Sequence, residues 1–76
     1  LNGNFVLQQS QRLARRCETD TPTGNTHDRV TRAIRLVYGR LPTPVELKAG
    51  EQLARQHGIP ALARALLNSN EFLWLP

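Results

Sequence analysis

The chain has 76 residues and a mass of 8.6 kDa, room for one small domain that buries only about 60% of its unfolded surface. Hydrophobic residues at 39% and charged residues at 21% exclude a disordered chain, and no run approaches the roughly 18 apolar residues of a membrane span. The net charge of +4 comes from ten basic residues, nine of them arginine, against six acids.

That charge is uneven. Residues 1–17 carry Arg12, Arg15 and Arg16, the stretch 18–28 carries Glu18, Asp20 and Asp28, and 29–41 carries Arg29, Arg32, Arg35 and Arg40. From Pro42 onward the sum is zero. Guanidinium forks suit fixed hydrogen bonds and anion contacts, so nucleic acid or an acidic partner comes into consideration. A single cysteine, Cys17, excludes an internal disulfide and a cysteine-rich zinc site, and the absence of a C-x-x-C-H run excludes c-type haem attachment. The opening Leu1-Asn2-Gly3-Asn4 has no initiator Met, basic run or long apolar run. The chain therefore reads as one helical domain, 1–76, cut from a larger protein.

Four helices are predicted, in order. The first starts from Asn4 as N-cap and runs to about Cys17, with Val6, Ser10, Leu13, Ala14 and Cys17 on the inner face and Arg12, Arg15 and Arg16 outward. Residues 18–26, broken by Pro22 and Gly24, read as a surface loop. The second helix begins near Thr26 or His27 and stops at Gly39, placing Val30, Ala33, Ile34, Val37 and Leu41 on one stripe and Arg29, Arg32 and Arg35 opposite. Thr43-Pro44-Val45-Glu46 is a capping box with proline at the first helical position, the strongest local signal in the chain. The third helix runs from there to about His57, with Leu47, Gly50, Leu53, Ala54 and His57 inward. Gly50 on that inner face predicts a crossing too tight for a β-carbon. Pro60 opens a short fourth helix with Leu62, Ala63, Leu66 and Leu67, followed by Phe72-Leu73-Trp74-Leu75. Period-2 alternation and hairpin dipeptides are missing. The fold class is all-α: a small irregular four-helix domain with short connections and one longer loop near 18–26. The core residues expected are Val6, Leu13, Ile34, Val37, Leu53, Leu66 and Phe72.

Chemistry-bearing patterns are sparse. Cys17, His27 and His57 are the soft metal ligands, and no two have metal-site spacing, so no metal is expected. No serine, threonine or cysteine sits in a nucleophile motif, and six carboxylates among ten basic residues read as partners for arginine. The expectation is of no enzyme and no cofactor. Residues 29–57 make a helix, a turn and a helix, whose third-helix face offers Lys48, Glu51, Gln52, Arg55 and Gln56. A nucleic-acid reader would use that face, but its acid repels phosphate and most arginines lie on the first two helices. The block 72–75 reads as core closure or as a docking patch, with Phe72 inside and Trp74 at the seam.

Three blocks carry a resemblance: residues 1–10, LNGNFVLQQS; residues 35–47, RLVYGRLPTPVEL; and residues 65–73, ALLNSNEFL. Together they resemble the C-terminal part of the planctomycete domain of unknown function 1553, found in large cytochrome-c-like multidomain proteins. The resemblance implies a parent exported to the cell envelope, with any haem on a separate domain. No catalytic residue carries over. The later two blocks also resemble small bacterial helical modules appended as interaction domains. On this reading the chain is a non-enzymatic structural or interaction module that packs against a neighbouring domain or a protein partner, the alternative being a nucleic-acid-binding helix-turn-helix. Arg32, Arg35, Arg40, Glu71 and Trp74 are the expected contact or latch residues. Arg40, just past a helix end, would cap open carbonyls and pair with Glu71 to pin the tail.

Overall fold

The structure, a computed structural model, describes residues 3–68. Four α-helices follow in order, α1 (Gly3–Asp20), α2 (Thr26–Tyr38), α3 (Pro44–His57) and α4 (Ile59–Leu67), with no strand among the described residues. The all-α four-helix domain expected from sequence is what forms. No helix among the described residues is long and apolar enough to cross a membrane.

Helix α1 begins at Gly3, so Asn4 lies within its first turn and not at the position before it. It also continues three residues past Cys17, which shortens the expected 18–26 loop. Two interactions favour the extra turn: Arg16 and Asp20 pair at i,i+4, with Nε 3.6 Å from Oδ2, and Asp20 also holds Arg32 of α2. Thr21 then ends the helix, its N–H and its hydroxyl both donating to the Cys17 carbonyl, at 3.1 and 2.6 Å. At the other side of the loop, Asn25 caps α2 by accepting from the Asp28 N–H at 2.9 Å.

Gly39 closes α2 with φ +70°, its N–H donating to the Arg35 carbonyl. That left-handed geometry costs an ordinary residue its Cβ clearance and costs glycine nothing. Four residues later the capping box forms in full, with both reciprocal bonds between Thr43 and Glu46 in place. The α2–α3 turn is thus fixed from both ends by local chemistry.

Helix α4 is the most apolar of the four and packs against each of the others, while α2 also touches all three. Helices α1 and α3 therefore flank an α2–α4 centre. Into it project Ile34, Leu62, Leu66, Val30 and Cys17, each less than 2% exposed. The buried stripe of α1 is Val6, Ser10, Ala14 and Cys17, mostly small residues that allow close approach to α4. Ser10 satisfies its buried hydroxyl by donating to the Leu7 carbonyl at 2.8 Å. Gly50 confirms its reading as a close-approach glycine, because a Cβ there would meet Val30 Cγ1 at 2.7 Å.

Of the expected core, Val6, Ile34 and Leu66 are buried, while Leu13, Val37 and Leu53 are half-buried against the cluster. Phe72 lies outside the described residues. Two inner-face assignments fail. Leu41 follows the α2 stripe arithmetically, but the helix stops at Tyr38 and the left-handed Gly39 turns the chain away, leaving Leu41 66% exposed. His57 is exposed in the last turn of α3, where the helix ends beside Gly58.

Candidate functional site

The described residues that sequence singled out gather around the α2–α3 turn and along α2. Arg40 stands just beyond the Gly39 stop and folds over the start of α3. Its Nη1 donates to Glu46 Oε1 and its Nη2 to Glu46 Oε2, each at 2.8 Å, a bidentate fork-to-fork pair. Nη1 also donates to the Leu41 carbonyl at 3.1 Å. On its other side the guanidinium lies over the Tyr38 ring, 5.1 Å from the centroid. Glu46 Oε1 accepts a further bond from the Thr43 N–H at 2.8 Å.

This gives Glu46 an unusual status: a carboxylate only 5% exposed on a surface helix of a small domain. It stays charged because every demand of its oxygens is met. The Arg40 fork chiefly, helped by the Thr43 N–H and hydroxyl, outweighs burial and holds its carboxyl down at about 2. The same bond pushes the Arg40 guanidinium up from its ordinary value, and burial pushes the Tyr38 phenol up, aided by the Glu46 charge. The sequence offers both halves of this pair, the capping box and a basic residue past a helix end, while the expectation from it places Glu71 opposite Arg40. Spacing was the available signal, since Arg40 lies six residues before Glu46 across a turn that reverses direction. Glu71 and Trp74 lie outside the described residues.

The network props an exposed apolar element. Leu41 and Val45, on either side of the Thr43 cap, are 66% and 69% exposed, while Arg40 keeps half of its side chain in solvent. The turn thus presents two large apolar side chains on a backbone that cannot easily relax.

Arg32 is bound within the fold, its Nη2 2.7 Å and its Nε 2.8 Å from Asp20 Oδ2, tying α2 to the end of α1. Arg35 is exposed in the last turn of α2. Together with Thr21, His27, Asp28 and Thr31 the two line a shallow groove. A second pair joins α2 to α3: His27 Nδ1 lies 2.7 Å from Glu51 Oε1, with Arg55 Nη2 4.0 Å from Oε2. The acid expected to repel phosphate from the α3 face is thereby occupied, leaving Lys48, Gln52, Arg55 and Gln56 outward. No group of three or more metal-ligating side chains forms among the described residues.

No protein-family model, curated protein or solved structure matches this chain.

Proposed function

We propose that this domain is a non-enzymatic helical interaction module of a larger bacterial envelope-associated protein, as the resemblance to the planctomycete domain implies. Its contact element is the α2–α3 turn, which docks on an apolar surface of a neighbouring domain. The observation that carries this reading is the pairing of exposure with rigidity at Leu41 and Val45. Apolar side chains on a mobile loop lose entropy when they dock, whereas a turn already fixed by a capping box, a left-handed glycine and a forked ion pair loses little.

A photo-crosslinking amino acid placed at Val45 in the parent protein tests this directly. The expected result is a single crosslinked neighbour, lost in the Leu41→Asp variant while the domain's melting temperature stays put. Crosslinks scattered as widely as those from an exposed control at Arg15 would remove the reading.

One observation favours a second reading. With Glu46 turned inward, the outward α3 face offers hydrogen-bond donors around a single acid, Glu51, which His27 and Arg55 engage. A nucleic-acid-binding helix-turn-helix over 29–57 would use it. Duplex DNA titrated at two salt concentrations distinguishes the two, since phosphate-driven binding weakens steeply with salt.

A further inference from the structure

A groove on another face of the molecule has the composition of a helix-binding site. Its floor is apolar, formed by Leu13 of α1, Leu36 and Val37 of α2, and Leu67 of α4. All four side chains are half-buried, and Leu13, Leu36 and Val37 pack on the core below. Its rim carries Gln9, Arg12 and Arg16, and no acid among the described residues lines it. The open volume is about 420 Å³, enough for the anchoring side chains of a docked helix but not for the helix itself.

The charge around this groove is one-sided. Between Gly3 and Cys17 every charged residue of α1 is an arginine. Arg16 shares Asp20 with Arg32, so one carboxylate answers two guanidinium groups. Arg12 and Arg15 make no ion pair among the described residues. An unpaired Arg12 and an Arg16 that only shares its carboxylate, both beside an apolar trough, call for a ligand that brings carboxylates and hydrophobic side chains together. A phosphate backbone would use the rim and leave the floor wet, so the floor argues against nucleic acid here.

We infer that the α1–α2 groove binds an acidic amphipathic helix of a partner protein, its apolar stripe seated on Leu13, Leu36, Val37 and Leu67 and its flanking carboxylates on Arg12 and Arg16. This deepens the interaction reading by naming a partner class, and it rests on that reading without using the turn. Docking of this kind reads as anchors at i, i+3 or i+4, and i+7 on the incoming helix, with the carboxylates fixing its direction.

The probe is a short synthetic helix with leucine along one stripe and glutamate on both flanks, titrated into the full chain and followed by anisotropy. Two matched peptides serve as controls, one with lysine for glutamate and one with serine for leucine. Saturable binding of the acidic peptide is expected, at least tenfold weaker to the Arg12→Glu/Arg16→Glu variant and to either control peptide. A Leu36→Gln variant, checked for an unchanged helical signal, should lose binding as well and so separates floor from rim. Equal binding of the lysine peptide, or no loss in the arginine variant, would overturn the inference. So would nuclear Overhauser contacts from the Phe72 or Trp74 ring to Leu36 or Val37 in the free chain, because the groove would then be filled from within. Duplex DNA protecting Arg12 and Arg16 while the peptide fails to bind would overturn it in favour of phosphate. Leu41→Asp should leave peptide binding intact, so the groove can fail while the turn contact stands, and the reverse.

Discussion

Glu46 shows how a single side chain can serve three structural purposes. It caps α3, anchors Arg40, and through Arg40 sets the platform under Leu41. Replacing it with alanine should cost about 2–3 kcal/mol, the loss of a cap plus a forked, mostly buried bond, measurable by urea unfolding. Arg40→Ala, which leaves that carboxylate buried without its guanidinium, should lower the melting temperature more than Arg32→Ala, whose partner Asp20 keeps Arg16 and solvent. The same carboxylate makes stability depend on acid. Its folded value of about 2 lies below the ordinary 4.5, so folding favours the ionised form. The contribution is complete above the ordinary value and fades as pH falls through 4.5 toward 2. Glu46→Gln should flatten that part of the stability profile, removing a term on the order of 2–3 kcal/mol. An unchanged acid slope would show that other carboxylates carry it.

Helix boundaries and helix crossings were legible to different degrees. Caps and stops, being local, could be read from the chain: Gly39, the Thr43 box and the α4 start near Pro60 all fall where their chemistry predicts. The failures have two causes: a contact between elements can override local pattern, and a local stop can end a stripe early. Asp20 extends α1 because Arg32 of another helix meets it, and Leu41 leaves the core because periodicity does not know where a helix ends. Arg40 meets Glu46, a pairing that depends on how the turn folds back. Gly50 is the favourable case, since a glycine on an inner face has one strong meaning. Gly50→Ala gains about 0.8–1 kcal/mol of helix propensity but forces a β-carbon 2.7 Å from Val30 Cγ1, and overpacking of this kind costs about 1–3 kcal/mol. The net expectation is destabilisation by up to about 2 kcal/mol. Adding Val30→Ala should recover part of it, so that chemical denaturation of the four variants gives a clear coupling. Simple additivity would mean the helices move apart at no cost.

At the scale of the whole molecule, the core is small and shared, with α2 and α4 meeting every other helix. No part of it can open without disturbing the rest. Cys17 sits at its centre with no exposed surface, and burial pushes its thiol above the ordinary value. Both effects keep the thiolate from reagents in the folded chain. A disulfide reagent in native buffer should therefore react far more slowly than with a free thiol, at a rate that rises with urea and tracks the unfolding equilibrium. Prompt labelling without denaturant would mean that α1 detaches on its own. The consequence runs further, because an adduct acquired during an opening leaves no room for re-closure. Each oxidising encounter then acts as a ratchet, holding the chain open until a reductant removes the adduct, so endurance under oxidative stress is set by how rarely the helices part.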